Sequence, residues 1–325
     1  MSVRPKSLAL VLAVLLGALI AALPARAQGL IRDAEIERTL AGIANPIYRA
    51  AGLSPSRVSL YLVNDRRLNA FVAGGSNIFM NTGLLQRLES VDEVRAVLAH
   101  ETGHIAGGHL ARRDEQIRRA RGTLALGVLA SIAAAAAGNP EAAFTAGALG
   151  NQVATRNLLA HSRAEESGAD QAALAYMVAA GSDPRAIIKV FDLFRGQEIL
   201  SAGQTDPYIR THPLWSQRLR DLEAKVDRAP RGRGTDPGLA YWHQRMVAKL
   251  DAFLDTPQRT LRDYGNDRSE IGAMARAIAY HRLPDRRRAL QAINALLAAR
   301  SAARKISSAC RQPGPPRGKA AWARR

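Results

Sequence analysis

The stretch SVDEVRAVLAHETGH, residues 90–104, decides the fold of this 325-residue chain. Ser90 and Glu93 have the spacing of a capping box, so the sequence predicts a helix that starts near Ser90. The pattern runs as far as Gly107-Gly108, where glycine favours a helix end. His100 and His104 are four residues apart, differ by about 40° of rotation on such a helix, and therefore face one point.

These two histidines and the glutamate between them form the pattern of a metal site. The imidazoles of His100 and His104 can share one zinc ion. Glu101 lies on the flank of the same face and can take a proton from a water molecule that the metal activates. A chance match to His-Glu-x-x-His in a chain of this length is on the order of one in a hundred. The sequence therefore predicts one Zn²⁺ per chain, with Glu101 as general base.

A catalytic zinc site needs a third protein ligand, and the candidates lie in SRAEESGAD, residues 162–170. This segment opens a predicted helix over 164–180, and spacing alone does not choose between Glu165 and Glu166. Glu166 and Asp170 are four residues apart and share a face. Glu166 can therefore bind the metal while Asp170 orients a ligand histidine.

The remaining histidines are predicted to lie away from the metal. His109 would be about 180° around a continuous helix from His100, so it cannot share the ion. His161 precedes the helix of the third ligand, and His243 and His281 lie in C-terminal helical segments. We expect these three to be surface residues.

The zinc helix and residues 162–170 resemble the family of CAAX-prenyl-protease-like and HtpX-like zinc metallopeptidases, in particular its periplasmic members. In that family the pattern Ser-Arg-x-x-Glu-x-x-Ala-Asp follows the zinc helix and its Glu is the third ligand, so the resemblance selects Glu166. It implies a zinc endopeptidase of the bacterial cell envelope that acts on misfolded or unassembled envelope proteins. It also implies the outer-membrane assembly machinery as a partner.

The resemblance extends to two further segments. Asn69, Ala70 and Phe71 match the family's sheet edge, where an extended substrate pairs by strand addition; an ordinary hairpin would also explain them. His212 and Arg218 match its His-Pro segment and following arginine. His212 either stabilises the oxyanion or occupies the open coordination position, and Arg218 can also stabilise the oxyanion.

The predicted fold class is α+β and mostly helical, a zincin-type metallopeptidase domain with a small antiparallel sheet and a short TPR-like region. A helix is expected over 30–52, and short strands over 58–63, 68–72 and 78–80. Two apolar segments, 123–137 and 141–153, are each too short to span a bilayer. They form either a buried helical hairpin, or a hairpin that touches a membrane surface or covers the active site.

The domain boundaries follow from composition. Residues 1–27 have the charged start, apolar run and small residues of a cleavable signal peptide, which predicts a periplasmic protein starting at Gln28. The metallopeptidase domain is expected over 28–228, a linker over 229–240, a TPR-like helical region over 241–299, and a basic disordered tail over 300–325. Since one TPR-like unit alone is recognisable, we hypothesise that the chain is truncated or frame-altered near residue 300.

Charge and cysteine content exclude several kinds of partner and site. The net charge is +18, but residues 1–27 and 300–325 are basic without any acid, which leaves a moderately basic body. Its basic residues are not interleaved with aromatics, so no nucleic-acid partner is expected. The single cysteine, Cys310, excludes an intrachain disulfide and a cysteine-based metal site. The alternative to a peptidase is a chaperone-like outer-membrane protein assembly factor with little proteolytic turnover.

Overall fold

The computed structural model describes residues 29–200, 212, 216–283 and 285–309. This part of the chain is mostly helical with one small sheet, which confirms the broad fold class. The predicted signal peptide and residues 310–325 lie outside the described residues. The strands are β1 (Leu30–Ile31), β2 (Ser59–Val63), β3 (Ala70–Ala73) and β4 (Asn77–Asn81). The helices are α1 (Ala34–Ala50), α2 (Thr82–Leu85), α3 (Val91–Ala106), α4 (His109–Ala136), α5 (Pro140–Ala179), α6 (Arg185–Leu200), α7 (Ser216–Val226), α8 (Pro237–Leu254), α9 (Pro257–Tyr264), α10 (Glu270–Arg282) and α11 (Arg286–Ala309).

The sheet is mixed, with the order β1-β2-β4-β3, so the expectation of an antiparallel sheet is wrong. β3 and β4 form an antiparallel hairpin across Gly74 and Gly75, whose φ angles of 57° and 93° suit glycine. β4 returns between β3 and β2 and runs parallel to β2. The alternation of apolar residues predicts strands but not their directions, which is why the sequence did not reveal the parallel pair.

The first predicted helix begins later than expected, because residues 30 and 31 form β1. Leu30 pairs with Val63 of β2. Asp33 then caps α1, since its Oδ1 accepts hydrogen bonds from the backbone nitrogens of Glu35 and Ile36 at 3.0 and 3.1 Å. The apolar face of α1 packs into the main core of the described chain.

The central helix α3 starts as the capping box predicts. The Oγ of Ser90 accepts a hydrogen bond from the backbone nitrogen of Glu93 at 3.2 Å. The carboxylate of Glu93 returns to the backbone nitrogen of Glu89 at 2.7 Å, one residue before the usual partner. The helix packs against α1, α5 and α6. It is a core helix, so His100 and Glu101 are buried.

Helices α4 and α5 form a long antiparallel hairpin. α5 is one continuous helix of 40 residues that carries both the second apolar segment and the segment 162–170. The large apolar residues of 123–153 lie on the outside of the hairpin, and Phe144 is 80% exposed. The interpretation of these segments as a buried hairpin is therefore wrong.

The C-terminal helices pack against the peptidase region. α8 begins at Pro237, inside the expected linker, and Met246 and Leu250 are buried in the same core as α1 and α3. Arg245 and Lys249 pair with acidic residues at the start of α1. His243 is buried, so its prediction as a surface residue is wrong.

The last described helix runs beyond the expected start of the disordered tail. α11 continues to Ala309, so its last turns fall within the range expected for the tail, and the disorder of the tail stays a prediction. Alanine, arginine and lysine dominate this stretch and have high helix propensity, although an apolar period is lacking. Within the described ranges, no helix is both long and apolar enough to cross a membrane.

The close approach of α3 and α5 at Gly103 generates a prediction. A Cβ atom at Gly103 would lie 3.0 Å from both the Cα and the carbonyl oxygen of Ala169, whereas a Cβ at Gly122 of α4 meets nothing within 4 Å. We expect Gly103→Ala to lower the free energy of unfolding by about 1–2 kcal/mol through overpacking. Gly122→Ala should raise it by up to about 1 kcal/mol through helix propensity. Urea unfolding of both variants checks this, and equal effects would contradict it.

Candidate metal centre

Three parts of the chain bring four metal-ligating side chains together. His100 and His104 come from α3, Glu166 comes from α5, and His212 precedes α7. One ligand atom from each of the four lies within 4.8 Å of the others. The structure thus brings the three sequence-predicted ligands to one point and adds His212 to them.

The spacing of the donor atoms fits a tetrahedral zinc site. The Nε2 of His100 lies 3.1 Å from the Nε2 of His104 and 3.2 Å from the Nδ1 of His212. The carboxylate oxygens of Glu166 lie 3.4 Å from the Nε2 atoms of His100 and His104. Ligands about 2.0–2.1 Å from a tetrahedral zinc are separated by about 3.3 Å. Imidazole and carboxylate donors at this spacing therefore fit zinc.

Glu101 lies beside these ligands and is fully buried. Neither of its carboxylate oxygens has a hydrogen-bond partner among the described residues, and its Oε1 lies 3.6 Å from the Nε2 of His212. Burial raises the pKa of the Glu101 carboxyl above its ordinary value. A buried carboxylate without a structural partner remains available to hold a proton from a reacting water.

A second layer of contacts orients the ligands. The Oδ1 of Asp170 lies 3.0 Å from the Nδ1 of His100, the nitrogen that faces away from the proposed metal position. Burial lowers the pKa of His100, but its hydrogen bonds to Asp170 and Glu166 outweigh burial and raise the pKa to about 9. Burial opposes ionisation of Asp170, but Arg218 and His100 hold the pKa of Asp170 below its ordinary value.

Arg218 joins both carboxylates of α5. Its Nη1 lies 2.8 Å from Glu166, its Nη2 donates to Asp170 at 2.8 Å, and its Nε also contacts Asp170. Arg218 does not line the cleft beside Glu101. These contacts favour a positioning role for Arg218, and its role at the oxyanion stays a prediction.

The structure separates the two glutamates that spacing left open. Glu166 is 3% exposed and faces the histidines. Glu165 is half-buried, and its Oε1 accepts a hydrogen bond from Gln116 at 3.3 Å. The selection of Glu166 by family resemblance therefore agrees with the position of its side chain.

His109 is a site residue that the sequence argument missed. Its Nδ1 lies 2.8 Å from the Nδ1 of His104, and the side chain is buried. A rotation of 180° between His100 and His109 holds for one continuous helix, but α3 ends at Ala106 and Gly108 turns the chain with a φ of 64°. His109 starts α4 and points back towards His104. The Gly107-Gly108 pair was the signal that this rotation could not be extrapolated.

The predicted substrate strand lies at the edge of the sheet beside this site. β3 is the last strand in the sheet order, and Phe71 and Val72 line a cleft of about 410 Å³ that also contains Glu101 and His212. Asn69 and Ala70 are buried and do not line this cleft. Of the three residues predicted for the substrate strand, Phe71 therefore lies at the cleft. Val72, which was not predicted, lines the cleft beside it.

A comparison with known protein families decides what kind of site this is. The model of peptidase family M48 matches residues 31–226, which include the whole ligand cluster. The chain belongs to peptidase family M48. The resemblance seen in the sequence is thereby confirmed.

Individual relatives are about a quarter to two fifths identical to this chain over the segments that align. A putative beta-barrel assembly-enhancing protease of Vibrio cholerae is 27% identical over 248 residues, 70% of this chain and 51% of the relative. The mitochondrial metalloendopeptidase OMA1 of Schizosaccharomyces pombe is 29% identical over 189 residues, 58% of this chain and 52% of the relative. Protease HtpX of Escherichia coli is 40% identical over 80 residues, 23% of this chain and 26% of the relative. The alignment with the first of these spans about half of that relative's length.

The paired glutamates of α5 allow a matched test of the metal site. We expect the purified protein to hold about one zinc per chain, and Glu166→Gln to weaken zinc binding at least about tenfold through loss of a charged ligand. Glu165→Gln removes the same charge from the next residue and should leave zinc binding unchanged. Competition with a chromophoric chelator measures both. Equal zinc affinity of the two variants would show that Glu166 is not the third ligand.

Proposed function

We propose that this protein is a zinc-dependent metalloendopeptidase of the bacterial cell envelope that hydrolyses misfolded or unassembled envelope proteins. The observation that carries the proposal is the convergence of His100, His104 and Glu166 beside the fully buried Glu101. The envelope location rests on the predicted signal peptide of residues 1–27 and on bacterial relatives named beta-barrel assembly-enhancing proteases.

The proposed roles follow from the position of each side chain. His100, His104 and Glu166 would hold one Zn²⁺, which as a Lewis acid lowers the pKa of a water and polarises a peptide carbonyl. Glu101 takes the proton from the attacking water at its carboxylate and later delivers it to the leaving amine. Asp170 fixes the orientation of the His100 ring, and Arg218 positions the carboxylates of Glu166 and Asp170.

Substrate would bind in extended form along β3. Phe71 and Val72 line the cleft at the sheet edge, where a peptide can add as a further strand. Backbone pairing of this kind is largely independent of sequence, because its hydrogen bonds come from the main chain. Such binding suits an enzyme that acts on unfolded chains, whose exposed segments are extended.

His212 is proposed to hold the resting site closed. Its Nδ1 lies 3.2 Å from His100 and 3.1 Å from Glu166, which is where a fourth ligand would lie. A side chain in that position excludes water from the metal, and a substrate would have to displace it. The same ring could stabilise an oxyanion once it has moved, which is the other role that the sequence left open.

The regions flanking the peptidase domain carry two further proposals. Residues 241–299 are proposed as a TPR-like helical region for contacts with polypeptide partners such as the outer-membrane assembly machinery. The proposal is supported by the packing of helix α10 against both α8 and α11. The boundaries at 228 and 240 are retained as proposals, with α8 starting at Pro237.

Replacing the general base tests the central proposal. Glu101→Gln keeps the shape of the side chain but cannot accept the proton, so casein hydrolysis should fall at least about 100-fold while zinc content stays near one per chain. Glu223→Gln, an exposed glutamate on α7, is the control and should retain full activity. Loss of zinc in Glu101→Gln, or activity equal to the parent, would contradict the role.

The chaperone-like assembly factor is the second candidate, and the proposed closure by His212 favours it because a closed site turns over slowly. The same variant separates the two functions in cells. Glu101→Gln should spare client binding, so an assembly factor with little turnover would remain functional. A peptidase would lose its function in cells with this single change.

Removing His212 tests whether the resting site is closed. If this ring fills the fourth position, His212→Ala should retain zinc and raise kcat/KM on casein several-fold, because water and substrate then reach the site freely. His281→Ala, an exposed histidine of α10, is the control. A decrease in kcat with zinc retained would instead assign His212 to oxyanion stabilisation.

A further inference from the structure

The hairpin of α4 and α5 contains a long section that is almost free of charge. Between residues 122 and 155 the sequence has one charged residue, Glu141. The section consists of the end of α4, a turn at Gly138 with a φ of 76°, and the start of α5. We call residues 123–153 the hairpin tip.

The two helices of the hairpin tip contact each other through small residues. A Cβ at Gly127 would lie 2.9 Å from the Cα of Gly150, so the two backbones touch at this level. The Oγ of Ser131 donates a hydrogen bond to the backbone oxygen of Ala143 at 2.6 Å. Ala154 is also buried. Close contact through glycine, alanine and serine is typical of helices that associate in lipid.

The large apolar residues of the tip point away from this contact. Leu126, Leu129, Ile132 and Phe144 are 69%, 62%, 60% and 80% exposed. Smaller exposed fractions are found at Leu124, Val128, Leu149 and Val153. The hairpin is therefore inside out relative to a water-soluble pair of helices, which buries its large side chains and exposes its small ones.

The exposed apolar surface is too broad for one flat protein partner. At 100° per residue, the large side chains of α4 cover an arc of about 200°, and those of α5 an arc of about 180°. A docking helix or sheet covers one stripe of a helix, about 100° wide. The acyl chains of a lipid layer, in contrast, can contact the whole arc at once.

The hydroxyl groups of the tip are satisfied within the hairpin. The Oγ1 of Thr145 donates to the backbone oxygen of Glu141 at 2.8 Å, and the Oγ1 of Thr123 donates to the backbone oxygen of Arg119 at 3.2 Å. Ser131 donates across the helix pair, as described above. Hydroxyls that already have partners lower the cost of transfer into a low-dielectric layer.

Positive charge is concentrated where the apolar section ends. The first turns of α4 carry exposed arginines at 112, 113, 118, 119 and 121. Two of these arginines are paired with nearby acids, Arg119 with Glu115 and Arg112 with Glu165. Basic residues at the edge of an apolar surface interact favourably with anionic lipid headgroups.

We propose that the hairpin tip docks the protein on a lipid membrane by lying shallowly in one leaflet, with the arginines of α4 at anionic headgroups. The charge-free part of α4, residues 123–136, is about 21 Å long and so shorter than the about 30 Å hydrocarbon core. In a shallow position Glu141, at the far end of the hairpin, stays at headgroup level together with the arginines.

Docking in this way would place the peptidase cleft at the membrane surface. Leu110, Arg113 and Ile117 of α4 line the cleft, and Ile117 is about 10 Å along the helix from Leu124. Polypeptides that emerge from the membrane or lie on it would then reach the cleft first. This consequence rests on the proposed function, whereas the docking itself does not.

Vesicle flotation tests the docking. The chain from Gln28 onward, in the Glu101→Gln background, should float with vesicles of phosphatidylglycerol and phosphatidylethanolamine. It should float less with phosphatidylcholine vesicles and less at high salt. The double change Leu129→Glu and Phe144→Glu should lower the partition coefficient at least about tenfold. Its matched control, Phe253→Glu with Leu290→Glu, alters two exposed apolar residues outside the hairpin and should float like the parent.

Tryptophan fluorescence shows which part of the protein contacts lipid. When vesicles are added, the tryptophan of Phe144→Trp should shift its emission to the blue and be quenched by brominated lipid. The tryptophan of Phe253→Trp should show neither change. The proposal would be overturned by no flotation of the parent with anionic vesicles, by an equal loss in the control double variant, or by no response at position 144. A dimer that forms without vesicles and is lost in the Leu129→Glu, Phe144→Glu variant would also overturn it, because the tip would then contact a second copy. Peptidase activity plays no part in these readouts, so they stand or fall separately from the proposed function.

Discussion

One guanidinium, that of Arg218, holds the two buried carboxylates on which the candidate metal site depends. Glu166 and Asp170 lie one turn apart on α5 and are both almost fully buried, so each would be costly to ionise alone. Arg218 reaches both from α7, and His100 supplies a further partner to each. Once the carboxylates are held, one can face the metal and the other can fix the ring of a ligand histidine. Since α7 supplies this charge, the packing of α7 against α5 and α6 belongs to the site as much as the zinc helix does.

Glu101 is the exception to this compensation. It is buried in the same cluster, yet among the described residues neither of its oxygens has a hydrogen-bond partner. Burying a carboxylate without partners costs free energy, and a sequence optimised for stability alone would place an apolar residue there. The arrangement fits a carboxylate whose partner is a reacting water, because lone pairs that make no other hydrogen bond can accept the proton of that water. The burial of Glu101 without a hydrogen-bond partner is therefore the feature of the cluster that the proposed role as general base would explain.

Local patterns in the sequence predicted the parts of this site that a single helix determines. The His100 and His104 pair and the capping box of α3 depend on spacing within one element, which the 3.6-residue period fixes. Spacing did not choose between Glu165 and Glu166, since a helix rotates by about 100° per residue and the direction of the partner helix was unknown. His109 was missed because the chain changes direction at Gly108. The parallel pairing of β2 and β4 was missed because strand direction is set by tertiary packing.

The hairpin shows a different limit of sequence reasoning. Its apolar composition fitted both a buried helix pair and one that contacts lipid, and composition alone could not separate them. The structure separates them because it shows which residues face inward: Gly127 and Gly150 form the contact, while Phe144 points out. The same continuous helix, α5, carries Phe144 at one end and Glu166 about 33 Å further along. A continuous helix transmits orientation, so whatever holds the hairpin tip also sets the direction in which the cleft beside Glu166 faces.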